Sequence, residues 1–180
     1  MKWNFSADQP DHLWVADFTY IQTHSGWVYT AFIIDVFSRA IVGWKVSTRM
    51  NTDMVLDALE QALHDRGMPK NVIHHSDRGV QYLSIRYTNR LEAANLRASV
   101  GTTGDSYDNA LAETVNGLYK TEVIEYLKAD WQGLADVQLA TLNWVDWFNK
   151  KRVHSALGYV SPFEFEAMYY DKINPLGQAA

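Results

Sequence analysis

The stretch Leu13-Trp14-Val15-Ala16-Asp17-Phe18-Thr19-Tyr20-Ile21 constrains the fold more than any other. Read as a strand, it puts Leu13, Val15, Asp17, Thr19 and Ile21 on one face and Trp14, Ala16, Phe18 and Tyr20 on the other, because successive side chains alternate sides. Both faces are largely apolar, the pattern of a sheet covered on both sides. Asp17 is the exception. Burying an unpaired carboxylate costs several kcal/mol, so it must protonate, pair or bind a cation. A bond to a nearby turn or to an Arg is one account of it; a metal ion is the other.

The elements around that strand follow from periodicity. His24-Ser25-Gly26 reads as a turn, Trp27–Ile34 as a second strand rich in β-formers, Asp35–Arg39 as another turn and Ala40–Thr48 as a third strand. Three strands joined by short turns form an antiparallel meander. Thr52–Arg66 has helical spacing in Met54, Val55, Ala58, Leu59, Ala62 and Leu63, and Gly67 and Pro69 close it. Asn71–Ser76 is a fourth strand that follows a helix, which predicts a parallel crossover. Ser84–Asn95 reads as a helix, Arg97–Val100 as a fifth strand, and 101–107 as loop by composition. Asn109–Tyr126 is predicted helical, with Ser106, Asp108 or Asn109 as N-cap. Trp131–Lys150 is predicted helical with Leu134, Val137, Thr141, Leu142, Val145 and Phe148 on one face. Ser161-Pro162-Phe163-Glu164 carries a Ser cap, Pro at the first position and Glu at the third. The fold class is therefore α/β: a five-stranded mixed sheet flanked by helices. At 180 residues the chain is one domain. Residues 1–10 read as an irregular segment, 11–170 as the core and 171–180 as a loose tail.

Composition bounds the chemistry. There is no cysteine, so thiolate metal sites and disulfides are excluded. No apolar run reaches bilayer-spanning length, and the start lacks a signal peptide's apolar centre, which predicts a cytoplasmic protein. The net charge of −5 argues against a free-standing, high-affinity DNA binder. It is compatible with a catalytic domain whose DNA affinity comes mostly from elsewhere.

Two further acids answer Asp17. Asp77 ends the short apolar run of the fourth strand, and sites in open α/β sheets collect beyond the carboxyl ends of strands. A turn-forming Asp-Arg-Gly is the other account of it. On the helix from 109, Leu111, Val115 and Leu118 form the apolar stripe, and Glu113 lies nearly opposite, beside Asn116, Gly117 and Lys120. A solvated face is the alternative. Two hard cations roughly 3.5–4 Å apart, bridged by carboxylates, suit in-line displacement at phosphorus, and Mg²⁺ needs only a few protein carboxylates. Asp35 reads as a turn former, and His74 and His75 as satisfied strand histidines. Lys120 shares the face of Glu113, where a phosphate or solvent would meet it. Lys150, Lys151, Arg152 and His154 form a basic cluster suited to phosphate or to water. The seven tryptophans read mostly as core rather than as base-stacking platforms.

Several stretches together carry a resemblance. They are Leu13–Ile21, Asp35-Val36-Phe37-Ser38-Arg39, His75-Ser76-Asp77-Arg78-Gly79-Val80-Gln81-Tyr82, Gly104 through Glu113, and His154-Ser155-Ala156-Leu157-Gly158-Tyr159. The chain resembles the integrase catalytic core of bacterial insertion-sequence transposases encoded in two overlapping frames, a group similar in its core to retroviral integrases. Asp77 and Glu113 have 35 residues between them, the separation that this Asp-Asp-Glu family keeps. The resemblance covers about residues 11–166. It implies a ribonuclease-H-like fold, two Mg²⁺ or Mn²⁺ ions, and Asp17, Asp77 and Glu113 as catalytic metal ligands. Metal-dependent phosphodiester hydrolysis and strand transfer are the activity implied. The partners implied are DNA (transposon ends and target), bound through Lys120, Lys150, Lys151 and Arg152, and a second copy of the chain. Such transposases carry a helix-turn-helix portion before the core, which this sequence lacks, and they act in the cytoplasm at the nucleoid. Two rivals remain at this point: a nuclease of the same fold that cuts without joining, and a DNA-binding or oligomerisation domain without catalysis.

Overall fold

The computed structural model describes residues 6–77, 79–100, 110–127 and 130–175. Strands β1 (Leu13–Thr23), β2 (Gly26–Asp35) and β3 (Ile41–Ser47) form the expected antiparallel meander. Helix α1 (Thr52–Asp65) crosses over to β4 (Ile73–Ser76), which lies parallel to β1. Helix α2 (Ile85–Ala93) leads to β5 (Arg97–Val100), again parallel, and the sheet order is β3-β2-β1-β4-β5. Helices α3 (Ala110–Tyr119), α4 (Leu134–Lys150) and α5 (Pro162–Ile173) follow.

The two apolar faces of β1 each own a core. Trp14 and Ala16 pack with Ala31, Ile33 and the inner faces of α1 and α2, through Leu59, Leu63, Tyr87 and Leu91. Val15 and Ile21 pack with Phe32, Ile34 and the helices of the other side, through Val115, Tyr119, Val145 and Phe148. The sheet is thus covered on both sides, as the two-faced pattern requires. Helices α1, α2 and α5 begin at side-chain caps. Asn51 Oδ1 accepts from the Met54 amide at 3.2 Å, and Ser161 with Glu164 closes a capping box on α5.

α1 lies on β3 so closely that Gly43 is obligatory. A Cβ built there would stand 2.3 Å from the Ala58 carbonyl oxygen and 2.9 Å from the Ala62 Cβ. Backbone cannot yield as a side-chain tip can. Gly43→Ala is therefore expected to destabilise by roughly 1–3 kcal/mol, the cost of overpacking, read as a lowered denaturation midpoint at unchanged slope.

Four expectations shift. α4 starts at Leu134, because the Trp131 and Gln132 carbonyls accept from the His24 and Ser25 amides at 2.9 and 3.0 Å, tying that segment to the β1–β2 turn. Its buried stripe runs through Val137, Thr141, Trp144, Val145 and Phe148; Leu142 is half exposed. α3 does not continue as α-helix to Tyr126. From Lys120 to Glu125 its turns widen to π geometry, with the Tyr126 amide reaching back five residues to the Thr121 carbonyl at 3.0 Å. α5 runs on to Ile173, past the expected loose end at Tyr170.

Candidate active site

The sheet sets two of the three acids side by side. β1 and β4 run parallel with Ala16 opposite Ser76, so Asp17 and Asp77 occupy the next row, one within β1 and one just past β4. Pairing on that side of β1 stops at Ala16, which opens the strand edge where Asp17 stands. Across the sheet Asp17 faces Phe32.

α3 brings the third acid over this edge. Glu113 lies in its first turn and is exposed. One turn on, the Asn116 Nδ2 donates to Asp17 Oδ2 at 3.0 Å, and the Phe18 amide donates to Asp17 Oδ1 at 2.8 Å. The buried stripe of α3 is Ala112, Val115 and Tyr119, with Leu111 and Leu118 partly buried at its border. The Tyr119 hydroxyl anchors it between Thr30 at 3.2 Å and Thr141 at 2.7 Å.

The acids sense one another. Burial raises the Asp17 carboxyl to about 6, and the like charges of Asp77 and Glu113 push it in the same direction. Hydrogen bonds from Phe18 and Asn116 oppose that rise without cancelling it. Asp77 is exposed and shapes its own turn: its Oδ1 accepts the Gly79 amide at 2.8 Å. A Cβ on Gly79 would stand 2.9 Å from that oxygen, so a side chain there would push the Asp77 carboxylate out of this turn. Tyr82 is buried beneath, stacked on Phe18 with ring centroids 6.2 Å apart. Its hydroxyl is held well above the usual tyrosine range by burial, then by Tyr87, Asp17 and Asp77. It therefore stays protonated beside the acids.

A hard divalent cation suits this donor set, which is all oxygen. The Asn116 Oδ1 is buried without a hydrogen-bond partner among the described residues, and it adjoins an Asp17 carboxylate crowded by like charge. Among the described residues, no three His, Cys, Asp or Glu side chains gather closely enough to hold a metal as they stand. The acids form an open, electrostatically coupled group rather than a closed cage. Ser106, Asp108 and Asn109, expected as caps, Asp105 and Arg78 lie outside the described residues.

The basic residues divide. Lys120 lies on the α3 side and holds its Nζ 4.9 Å from the Tyr20 ring centroid. Lys150 pairs with Asp146 at 2.5 Å, and Arg152 donates to Glu122 through two nitrogens at 2.6 and 2.8 Å. Lys151 caps α4 and is exposed. The ion pairs turn Lys150 toward an acid of its own helix and Arg152 toward the π segment after α3, rather than toward Asp17. Asp35 is the expected turn former, accepting from the Ser38 amide at 2.9 Å. His74 is a satisfied strand histidine: its Nε2 and the Tyr87 hydroxyl are hydrogen-bonded at 2.7 Å, and burial lowers it to about 4.

Sequence reasoning missed Asn116 as a partner of Asp17. The signal was present, since Asn116 follows Glu113 by three residues and so shares its helix face.

Models of the integrase core domain match residues 7–106 and 94–162. A transposase for insertion sequence element IS629 from Shigella sonnei is 57% identical over 169 residues, covering 94% of this chain and 56% of that protein. A putative transposase for IS986/IS6110 from Mycobacterium tuberculosis is 53% identical over 171 residues, covering 92% of this chain and 61% of its own length. The chain thus spans a little over half the length of these relatives. The HTLV-2 integrase catalytic core in complex with magnesium superposes with a TM-score of 0.69 at 19% identity, over 88% of this chain and 98% of that one. That likeness shows the fold, the ribonuclease-H-like architecture expected from the sequence. With matches running from residue 7 to residue 162 and the five-stranded mixed sheet in place, the chain belongs to the integrase core domain family.

Proposed function

We propose that this chain is the catalytic core of a DNA transposase that hydrolyses a phosphodiester at the element end and then joins the freed strand to target DNA. The observation that carries the proposal is the coupling of Asp17 to Asp77 and Glu113 at an open strand edge of an integrase-core fold. Transposase relatives more than half identical to the chain support the choice of DNA as substrate.

In this reading Asp17, Asp77 and Glu113 hold divalent ions, Mg²⁺ or Mn²⁺, and two of them. The magnesium of the HTLV-2 integrase core supports a divalent ion on this fold. When bound, such ions activate the attacking oxygen and stabilise the leaving one. Asn116 orients Asp17 by its donated hydrogen bond and keeps its own carbonyl oxygen toward the site. Water is the first attacking group and leaves a 3′-OH on the element; that 3′-OH then attacks a second phosphodiester. Lys120 meets a phosphate beside the site. Lys151 and the exposed Lys150 contact the backbone more loosely, and Arg152 contributes what its pair with Glu122 leaves free.

The net charge of −5 supports recognition of transposon ends by a helix-turn-helix portion outside these 180 residues. The HTLV-2 core has been described in dimeric and trimeric forms, which supports a homodimer here. No helix among the described residues is long and apolar enough to cross a membrane; a place in the cytoplasm at the nucleoid belongs to the same proposal.

The test is a joining assay with the chain, Mg²⁺ or Mn²⁺, a pre-cut element end and a labelled target. Joined strands are expected. Cut products without joined ones would favour a nuclease of the same fold, and no metal-dependent product at all would favour a binding domain.

A further inference from the structure

We propose that Tyr20, Trp27 and Lys120 form a platform on which an unpaired nucleotide stacks beside the acid site. The proposal rests on the reading of this core as a DNA-processing one, and it names the group that holds the strand there.

Two large aromatic rings stand in solvent on the β1–β2 hairpin. Tyr20 is 55% exposed and Trp27 is 50% exposed. They touch edge to face with centroids 5.3 Å apart. A cross-strand aromatic pair stabilises a hairpin by up to about 1 kcal/mol, but that gain does not require half of each ring to remain wet. The register sets Gln22 opposite Trp27 and Tyr29 opposite Tyr20, so the pair is diagonal. That diagonal sets both rings on one face of the hairpin, where each stays about half exposed.

The third member comes from another element. Lys120, on the far side of the sheet edge, places its Nζ 4.9 Å from the Tyr20 ring centroid. It can do so because pairing on the β4 side of β1 ends at Ala16, which leaves that edge of the strand open beside Tyr20, while β2 pairs the other edge throughout. Among the described residues Lys120 has no carboxylate within ion-pair distance, unlike Lys45, Lys150, Arg66, Arg90 and Arg152. A cation held by a ring and left without a counter-ion suits a phosphate. It is also the residue at which α3 widens to π geometry, a distortion that recurs at functional sites.

Position completes the argument. Tyr20 lies three residues beyond Asp17 on one strand, about 10 Å at 3.3 Å per residue, with its side chain on the opposite face of β1, so a DNA strand reaches both around the open β4-side edge that the Lys120 Nζ already crosses. That is the reach of about three stacked nucleotides at 3.4 Å each. A DNA strand whose phosphate lies at Asp17 thus has bases within range of the rings. Aromatic faces accept any base, and a neighbouring cation tracks the backbone, which is the design of single-strand binding surfaces. A duplex, with its bases stacked inside, has no free base face for the rings.

The probe is a duplex with a short single-stranded tail carrying 2-aminopurine, whose fluorescence falls on stacking. Wild-type chain is expected to quench it, and a blunt duplex of the same length to bind more weakly. Trp27→Ala, and Tyr20→Leu, which keeps apolar packing, are each expected to weaken tail binding by about 5- to 100-fold. Both should leave its salt dependence unchanged, whereas Lys120→Gln should lower the salt slope by about one ion. Circular dichroism melts check that each variant folds. Tail binding unaltered in both aromatic variants, no quench by wild type, or equal binding of the blunt duplex would each overturn the platform. Asp17→Asn separates the two readings. It should still quench the tail while losing cleavage, and an Asp17→Asn chain that cleaves normally overturns the catalytic reading whatever the tail does.

Discussion

Asp17→Asn is expected to lose metal-dependent DNA cleavage by at least about a hundredfold, a scale that changes behind the ligands already reach in metal sites. The same variant should melt higher than wild type near neutral pH in the presence of a chelator. Both effects have one cause. The Asp17 carboxyl rises from 3.8 to about 6 on folding, first through burial and then through Asp77 and Glu113. The native state therefore binds a proton more readily than the unfolded chain. Stability from this group is full below about pH 4, declines as pH rises, and is gone above about 6. Holding the charge at pH 7 thus costs as much as about 3 kcal/mol, or roughly 6–12 °C for a chain of this size. Asparagine removes that cost without losing partners. Its oxygen still accepts from Phe18, and its amide can donate to the Asn116 Oδ1, now without a partner. Melting temperatures across pH 4–8 would read the effect; a variant that parallels wild type throughout would sink this account. Glu113→Gln is the contrast. Glu113 is exposed, so its replacement should remove activity and leave the melt in place.

What the sequence could show depended on the range of the interaction. The two faces of β1 were legible because period-two patterning is a local property, and each face found its own core. The cap of α5 was legible for the same reason, all of its atoms lying within Ser161–Glu164. The start of α4 was not. Trp131 and Gln132 continue an apolar-periodic run, but their carbonyls serve His24 and Ser25, over a hundred residues away in the chain. The π turns after Tyr119 were equally hidden, since they keep both Tyr119 and Val123 buried against strands and helices that a single helical wheel does not contain.

The site divides along the same line. Asp17 stood out as a charge in an apolar strand, and Asp77 as an acid at a strand end. The crossover predicted a parallel fourth strand, but neither reading revealed that its neighbour is β1 or the register that sets the two acids in one row. The basic cluster at 150–152 looked available because Lys150, Lys151 and Arg152 are adjacent. The Lys150 pair with Asp146 lies four residues back on the same helix and was legible there, but the Arg152 pair with Glu122 appears only once the segment after α3 packs against α4. The reading of the tryptophans as mostly core holds for Trp14, Trp131 and Trp144, with Trp44 packed against the core that holds the last two, whereas Trp27 and Trp147 keep 50% and 41% of their surface in water.

Removing Arg66 should cost more than any other single surface-reaching change. Arg66 follows the last turn of α1 and is 12% exposed. It donates to Asp11 Oδ1 at 2.8 Å and to both oxygens of Glu166 on α5 at 2.8 Å each. Ser38 ties Glu166 to Asp35, donating its hydroxyl to Glu166 at 2.6 Å and its amide to Asp35 at 2.9 Å. Asp35 also accepts the Asp11 amide at 2.7 Å. One guanidinium therefore serves two carboxylates directly, and through Ser38 and the Asp11 amide the network reaches Asp35, fastening α5, the start of β1 and the β2–β3 turn to the end of α1. Burial lifts Asp35 to about 6, and Asp11 and Glu166 add to that rise, so the cluster already carries surplus negative charge. Arg66→Met keeps the aliphatic stem and deletes the cation. Breaking a buried pair in this way costs about 3–5 kcal/mol, because the acids remain buried without compensation. At this chain length that is roughly 6–20 °C in melting temperature. The deficit should shrink between pH 7 and pH 5, as Asp35 takes up its proton and relieves the repulsion. Adding Glu166→Gln to Arg66→Met should recover part of the loss, since it removes one orphaned charge, although Glu166→Gln alone destabilises. Urea titrations of the four proteins at both pH values give the coupling directly. Additive single effects, or a deficit that persists unchanged at pH 5, would mean that α5 is held by packing of Phe37 on Phe165 and Tyr169 rather than by the charge cluster.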